Sequence, residues 1–299
     1  MGPRTEPAHE QSLLDTLRAT RATLATASIP DAPLEAEALL MHAAGLTRER
    51  LLVSLRDPCP AHAAPRLDAM LHRRLQREPL AYITGTKEFF GLDIAVDSRV
   101  LIPRPETETL VELALDLARR EWPDRPVRIA DIGTGSGAIT IAIAAHLPNA
   151  IVSATDASRD SLTLAAANAQ RHGLADRIAF LHGDLLSPLT GPLDLLLANL
   201  PYIPDAEWPA LQPEIRLHEP RSALLGGPTG LALVERLLHQ LLHRPHRPSS
   251  AILELDHRQP PAVSRLVRHL FPQASVTTYR DLAGLERGVI IGGIPQTPS

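Results

Sequence analysis

The chain has 299 residues, of which 44% are hydrophobic, so it is long enough to bury the cores of two domains. A net charge of −4 without a basic block argues against nonspecific duplex binding, which requires many neutralised phosphates. The lone Cys59 excludes an internal disulfide, and the polar residues 1–11 and the lack of a long apolar run predict a cytoplasmic protein.

Leucine stripes at helical spacing run through residues 10–78 and predict a bundle of short helices. Pro30 ends the first helix, and Thr47 is placed to cap the third. The last stripe ends before Glu78-Pro79. We therefore predict an N-terminal helical domain over residues 1–80.

Residues 87–96 alternate between apolar and polar side chains, with Leu92, Ile94 and Val96 on one face. Alternation over such a length is typical of half-buried strands. We expect a β-hairpin here, within a linker that spans residues 81–105 and connects the two domains.

From Glu106 onward apolar strands alternate with helical segments, which is the pattern of a doubly wound, mostly parallel α/β sheet over residues 106–299. The short connection 281–286 predicts an antiparallel strand that closes the sheet, and the Pro/His/Arg-rich stretch 243–250 predicts a plain loop. The seven predicted strands cover residues 129–132, 150–154, 178–181, 193–198, 251–255, 274–279 and 287–291.

The first strand of this sheet leads into the run Gly133-Thr134-Gly135-Ser136-Gly137, followed by a helix. Glycines let a backbone turn sharply and approach a ligand closely, and the start of a helix presents free N–H groups. Gly133, Gly135 and Ala138 also satisfy the dinucleotide fingerprint, so an NAD-binding domain is an alternative.

Two acidic residues follow the next two strands. Asp156 ends the second strand about twenty residues after the glycine run, where an acid suits ribose hydroxyls. Asp184, with Leu185 beside it, follows the third strand.

The fourth strand ends in the tetrad Asn199-Leu200-Pro201-Tyr202. An Asn side chain donates and accepts hydrogen bonds and can grip an amide or the amino edge of a base, while Tyr202 offers a flat apolar face. The tetrad resembles the Asn-Pro-Pro-Tyr signature of methyltransferases that act on planar nitrogens, with Leu in place of the first Pro. Together the four strand ends favour S-adenosylmethionine as the cofactor.

No compact metal-ligand spacing is found among the thirteen histidines. His239, His243 and His246 come nearest, but they fall at the end of a predicted helix, where the dipole favours His. We predict no metal site.

Longer segments carry a more specific resemblance. They are residues 77–85, 88–92, 101–108, 219–227 and 230–231. Over nearly its whole length the chain is similar to the release factor glutamine methyltransferases of the HemK/PrmC type. The resemblance implies a class I methyltransferase sheet, and methyl transfer from S-adenosylmethionine to the Gln side chain of the Gly-Gly-Gln motif in class I peptide release factors. It also implies that the helical domain docks that partner. We expect a monomer that does not bind nucleic acid directly.

The resemblance also implies roles for the predicted residues. Asn199 and the carbonyl of Leu200 would hold the substrate amide, against which Tyr202 packs, so Asn199 and Tyr202 are the catalytic candidates. Pro201 completes the substrate-binding tetrad. The run 133–137 would line the methionine end of the cofactor, Asp156 would bind its ribose, and the adenine would lie beside Asp184 and Leu185. Asn199 would contact the cofactor as well as the substrate.

Two features depart from the family pattern. The first is Leu200 in place of a proline, and the second is the segment 253–257, which replaces a strand end that contains glycine in the family. Arg104 and Glu106 are either active-site supports or an ion pair that fixes the linker.

Two other functions compete with this prediction. A nucleic-acid adenine methyltransferase can use the same type of tetrad to grip a flipped base. A catalytically impaired, cofactor-binding protein on the same fold is the second alternative, suggested by the altered tetrad.

Overall fold

The structure, a computed structural model, describes residues 11–296. The residues before Gln11, on which much of the expectation about a signal region rests, lie outside that range. The chain forms two compact units, Met1–Gly85 and Thr86–Ser299. Within the described range, no helix is both long and apolar enough to cross a membrane.

The first unit is helical, as the leucine stripes predict. Its core contains Leu24, Leu39, Leu40 and Leu51, all fully buried, and Thr47 caps the third helix by accepting a hydrogen bond from the backbone N–H of Arg50. The sequence pattern gave no sign of the fifth helix. The helices are α1 (Leu13–Thr26), α2 (Ala32–Ala44), α3 (Arg48–Val53), α4 (Ala63–Leu75) and α5 (Leu80–Thr84).

The second unit begins with the predicted hairpin, in which β1 (Thr86–Phe89) and β2 (Leu92–Ala95) pair antiparallel. Phe89 and Ile94 are buried. The helices of this unit are α6 (Glu108–Glu121), α7 (Ala138–His146), α8 (Arg159–Arg171), α9 (Pro213–His218), α10 (Ala232–Leu242) and α11 (Pro260–Leu270). Short 3₁₀ helices cover Pro105–Thr107, Ala175–Arg177, Asp205–Ala210 and Arg221–Ala223.

Seven strands form the sheet of the second unit, in the order β5-β4-β3-β6-β7-β9-β8. Their bounds are β3 (Val127–Ile132), β4 (Ala150–Asp156), β5 (Ile178–His182), β6 (Leu195–Asn199), β7 (Ser250–Glu254), β8 (Ser275–Arg280) and β9 (Glu286–Gly292). The first five are parallel, and β9 runs antiparallel to both of its neighbours. The predicted doubly wound sheet and its closing antiparallel strand are confirmed.

The order of the strands determines where a ligand can bind. From β3 the chain builds outward through β4 and β5, and then returns to place β6 on the other side of β3. Such a reversal opens a crevice at the carboxyl ends of the two central strands, where ligands of open α/β sheets bind. The glycine run follows β3, and the tetrad begins with the last residue of β6.

Candidate active site

A cavity of about 320 Å³ opens at the carboxyl ends of β3, β4, β5 and β6. Its volume lies at the lower end of the range of about 300–1,000 Å³ typical of small-molecule sites. Most of the predicted site residues line it. They are Gly133, Gly135, Asp156, Asp184, Leu185, Asn199, Leu200 and Pro201.

A smaller cavity of about 50 Å³ shares Leu101, Gly133, Gly135 and Asn199 with the first, and is also lined by Thr107, Thr134 and Ser136. The two remaining predicted residues, Gly137 and Tyr202, line neither cavity. The structure thus brings the residues of the glycine run and the tetrad to one place, but puts two of them outside the cavity walls.

The glycine run turns sharply because β4 holds its start. The backbone N–H groups of Gly133 and Thr134 both donate to the carbonyl of Thr155, at 2.8 and 3.0 Å. Gly135 has a φ of +56°, and a Cβ added there would meet no protein atom within 4 Å. The turn therefore leaves open space in front of its backbone, as a ligand cradle requires.

Asp156 links this turn to the start of α8. Its Oδ2 accepts from the backbone N–H of Gly135 at 2.9 Å, and its Oδ1 accepts from that of Ser158 at 2.8 Å. Each carboxylate oxygen can accept a further hydrogen bond. Asp156 can therefore fix the turn and still bind a hydroxyl group in the cavity.

Asp131 is a supporting residue that the sequence analysis did not single out. Its carboxyl group is buried and accepts hydrogen bonds from the hydroxyls of Thr134 and Thr140, at 2.7 and 2.6 Å. Burial raises the pKa of Asp131 to about 6, although the two threonines oppose the shift. This carboxyl group ties the glycine run to the first turn of α7. Its position near the end of β3 was the only sign of this role in the sequence.

Asp184 has partners on α10 that the sequence did not reveal. It accepts from the Arg236 guanidinium at 2.5 Å and from the Gln240 amide at 3.0 Å. Arg236 also lines the larger cavity. The cavity wall beside Asp184 therefore carries both an acidic and a basic group.

Asn199 lies at the last position of β6, in register with Glu254 of β7. Its Nδ2 donates to the Thr107 hydroxyl at 3.1 Å. The next residue, Leu200, is buried, and a Cβ added to Gly133 would lie only 2.9 Å from its Cδ2 atom. The Leu200 side chain thus covers the glycine turn, while Asn199 faces both cavities.

The backbone after the tetrad rests on the segment 224–230. The N–H of Ile203 donates to Leu224, and that of Gly226 donates back to Ile203, both at 2.9 Å. A Cβ on Gly226 would lie 2.4 Å from the carbonyl oxygen of Pro201. This approach explains why a glycine-containing segment far along the chain accompanies the tetrad.

The backbone of Tyr202 is fixed by contacts outside the two cavities. Its carbonyl accepts from the Gln259 amide at 2.9 Å, and a Cβ on Gly230 would lie 2.1 Å from the same oxygen. Burial raises the pKa of the Tyr202 hydroxyl, and the nearby Glu254 adds to the shift. The phenol therefore stays protonated in the neutral range.

Arg104 and Glu106 do not form the ion pair considered in the sequence analysis. Arg104 instead donates to Glu219 at 2.5 Å, and Glu219 also accepts from the backbone N–H of Ile102 at 3.1 Å. Glu106 lies 4.0 Å from Arg287. Glu219 is buried, so two segments that are distant in the sequence, 101–108 and 219–227, meet through its carboxylate.

Potential metal ligands are not clustered in the part of the chain that the structure describes: no group of three or more His, Cys, Asp or Glu side chains could hold an ion. Of the three histidines noted in the sequence, His239 belongs to α10, and His243 and His246 follow it.

The fold is that of a methyltransferase. Residues 113–211 match the methyltransferase small domain family. Among solved structures, the hMettl16 catalytic domain in complex with the MAT2A 3′UTR hairpin 6 superimposes with a TM-score of 0.58 at 18% identity, covering 75% of this chain and 83% of that one. The N-terminal domain of human METTL16 in complex with SAH gives 0.52 at 20% identity, covering 69% and 77%. At this identity the likeness shows the fold alone.

Sequence relatives define the family more narrowly. Residues 15–85 match the PrmC N-terminal domain. The release factor glutamine methyltransferase of Bradyrhizobium diazoefficiens is 39% identical over 99% of this chain and 100% of its own length. Those of Gloeobacter violaceus and Moorella thermoacetica are 41% and 43% identical, over 86% and 88% of this chain and 89% and 92% of their own. The chain belongs to the release factor glutamine methyltransferase family.

Proposed function

We propose that this protein transfers a methyl group from S-adenosylmethionine to the side-chain nitrogen of the Gln in the Gly-Gly-Gln motif of class I peptide release factors. The observation that carries the proposal is the position of Asn199 and Leu200 in the wall of a cavity that also contains the glycine turn. The full-length similarity to enzymes named for this reaction supports the same substrate.

The larger cavity suits S-adenosylmethionine in its chemistry. Gly135 leaves open space in front of its backbone, so the methionine end can approach the turn. Asp156 offers carboxylate lone pairs to ribose hydroxyls, and the adenine would lie between Leu185 and Asp184. When bound, the cofactor supplies a methyl group that is already activated by the sulfonium.

The tetrad meets the main difficulty of the reaction, which is that an amide nitrogen is a poor nucleophile. Its lone pair is delocalised into the carbonyl, so orientation must supply much of the rate. The Asn199 Oδ1 and the Leu200 carbonyl would each accept one hydrogen of the substrate amide and favour positive charge developing on its nitrogen. Any residue supplies a backbone carbonyl, so Leu200 in place of proline keeps this contact.

Tyr202 and Pro201 complete the proposed substrate site. Pro201 lines the cavity and restricts the backbone before it. Tyr202 is proposed to pack against the flat substrate amide, from a position fixed by Gln259. The helical unit is proposed as the docking module for the rest of the release factor, with the enzyme acting as a monomer in the cytoplasm.

The test is mass spectrometry of a class I release factor after incubation with the protein and isotopically labelled S-adenosylmethionine. One labelled methyl group should appear on the Gln of the motif, and none on a release factor whose Gln is replaced by Glu. Asn199→Ala should lower turnover about a hundredfold, as loss of a preorganised transition-state contact does. Labelled adenine in an added oligonucleotide, with an unmodified release factor, would favour the nucleic-acid alternative. Cofactor binding without any product would favour the catalytically impaired one.

A further inference from the structure

A buried carboxyl group lies next to Asn199 of the proposed substrate site. Glu254 is the last residue of β7, beside Asn199 in the neighbouring strand. Its residue exposure is 2%, and among the described residues its Oε2 atom finds no hydrogen-bond partner. A buried carboxyl oxygen without a partner costs folding free energy, and buried carboxyl groups with a shifted pKa concentrate at functional sites.

The Asn199 amide has a second neighbour in Thr107, at the end of the 3₁₀ helix Pro105–Thr107. Thr107 is 4% exposed, and its hydroxyl accepts from the Asn199 Nδ2 at 3.1 Å. Asn199 thus lies between Thr107, which also lines the smaller cavity, and Glu254 of the neighbouring strand.

The terminal amide of an Asn side chain can be flipped by 180°, which exchanges the positions of its oxygen and nitrogen. The nitrogen carries two donors and the oxygen accepts, so the choice decides what Asn199 offers to a ligand. An ionised carboxylate can only accept, so in its ionised form Glu254 favours the orientation in which the nitrogen points inward. The oxygen then remains for the cavity.

We propose that Thr107 and Glu254 are positioning residues that hold the Asn199 nitrogen inward and so present its Oδ1 to the substrate amide. This proposal rests on the function proposed above. It assigns to Thr107 and to the end of β7 a role in orienting the tetrad.

The electrostatics of Glu254 agree with this geometry. Burial raises its pKa to about 7, and Glu106 adds to the rise. Interactions with Thr107, Arg287 and Asn199 all act in the opposite direction, by stabilising the ionised form. Two of the groups that favour the carboxylate are thus the same side chains that the proposal connects.

Thr107→Val removes the hydroxyl and preserves the shape of the side chain. We expect kcat on a release factor to fall about tenfold, which corresponds to the loss of one hydrogen bond. The KM for the release factor and the Kd for S-adenosylmethionine should change less than about twofold, because neither contact is lost. Thr107→Ser should restore most of kcat, since it restores the acceptor.

Glu254→Gln tests the second residue at constant size. The Gln amide can place a donor where the carboxylate places an acceptor, so both orientations of Asn199 become accessible. We expect kcat to fall about three- to tenfold with the cofactor Kd unchanged, on the scale of one hydrogen bond.

A double-mutant cycle separates positioning from a general structural effect. In the Asn199→Ala background the amide is absent, so adding Thr107→Val or Glu254→Gln should lower kcat by less than about twofold. If the losses multiply instead, neither residue acts through Asn199, and the proposal is overturned.

A readout without turnover keeps the proposal testable if the release factor proves not to be the substrate. In nuclear magnetic resonance spectra the Asn199 side-chain NH₂, assigned by its loss in Asn199→Ala, should exchange with solvent at least about tenfold faster in Thr107→Val than in the unsubstituted protein. The control is Thr163→Val, which removes an exposed hydroxyl from α8 and should leave the exchange unchanged. Equal exchange in the Thr107→Val variant and the unsubstituted protein would refute the proposal.

Discussion

At the scale of single residues, Asp156 combines a structural and a proposed binding role. Because its carboxylate fixes the backbone of Gly135 and Ser158, its removal affects both the cavity wall and the ribose contact. Asp156→Ala should weaken S-adenosylmethionine binding by about 1–3 kcal/mol, the usual cost of losing a charged hydrogen-bond partner.

Asp156→Asn is the matched variant for this prediction. It keeps one acceptor oxygen and the size of the side chain, so part of the affinity should remain. Calorimetric titration measures both variants. Unchanged affinity in a folded Asp156→Ala protein would remove this residue from the site, and NADH binding of comparable strength would contradict the choice of cofactor.

Glu254 should make stability depend on pH in a definite direction. Burial raises its pKa from 4.5 to about 7, so between these values the folded protein retains a proton that the unfolded chain has released. The free energy of unfolding therefore falls as the pH rises through this window, by about 1.4 kcal/mol per unit and by roughly 3 kcal/mol in all. Below pH 4.5 the carboxyl group is protonated in both states and contributes no slope.

Glu254→Gln should remove this contribution. Urea unfolding of both proteins from pH 4 to pH 8 should show the variant gaining stability relative to the unsubstituted protein, mainly between about pH 4.5 and 7. Asp131, whose pKa burial raises to about 6, acts in the same direction in both proteins and cancels in the difference. A difference that is constant across this range would show that Glu254 does not titrate as its burial implies.

The sequence could predict that Asn199, Asp156 and the glycine run meet at one edge of the sheet, because each lies at the end of a recognisable strand. It could not predict the roles that we propose for Thr107 and Glu254. Their partners lie 92 residues away for Thr107 and in the neighbouring strand for Glu254, so no local pattern brings them together. A polar residue at a strand end resembles an exposed one until the pairing of β6 with β7 is known.

At the scale of elements, the glycine run and the start of the tetrad depend on each other. Gly133 and Gly191 both adopt a positive φ, +74° and +78°, but only Gly133 has a close neighbour: Leu200 would lie 2.9 Å from an added Cβ. Gly191→Ala should cost about 1–2 kcal/mol for the left-handed backbone alone. Gly133→Ala should cost more, by a further 1–3 kcal/mol or so, because it also overpacks the core.

Chemical denaturation of the two alanine variants measures this difference, and Gly191→Ala is the control because it lies outside both cavities. Only Gly133→Ala should also weaken S-adenosylmethionine binding. Equal losses of stability would mean that Leu200 moves away without cost, and that its contact with the turn is dispensable.

Elements with a clear periodicity were predicted well. The hairpin and the seven strands follow from alternation and apolar runs, and the stretch 243–250 is the predicted loop apart from Ser250, the first residue of β7. Nothing in the sequence indicated, however, that arginines of this loop are buried. In the structure Arg244 and Arg247 of this stretch are each 9% exposed. Arg244 donates to the carbonyl of Gly191 at 2.8 Å, and Arg247 to that of Pro295 at 2.9 Å. Arginine side chains are usually exposed. Here their burial is favourable because they donate to backbone carbonyls of distant segments, and composition alone could not indicate those partners.

At the scale of the whole molecule, the hairpin is part of the second compact unit, which begins at Thr86. Its hydrogen bonds to the rest of that unit agree with this division. The Asn168 side chain of α8 accepts from the Ala95 N–H and donates to the Ala95 carbonyl, both at 2.9 Å. The same Nδ2 donates to the carbonyl of Ser136 in the glycine run at 2.9 Å. The hairpin thus supports the proposed cofactor site, so a dissection of the protein should keep it with the sheet.

A chain that begins at Thr86 should therefore fold and bind S-adenosylmethionine with nearly full affinity, because every residue lining both cavities lies beyond that point. It should methylate a short Gly-Gly-Gln peptide about as well as the full-length protein. Its kcat/KM on an intact release factor should fall at least about tenfold, if the helical unit supplies docking contacts worth 1.4 kcal/mol or more. A chain that begins at Glu106 is the control: without the hairpin it leaves Asn168 partly unpaired and should unfold at lower temperature. Equal kcat/KM on the intact release factor for the Thr86 chain and the full-length protein would show that the helical unit does not dock this substrate.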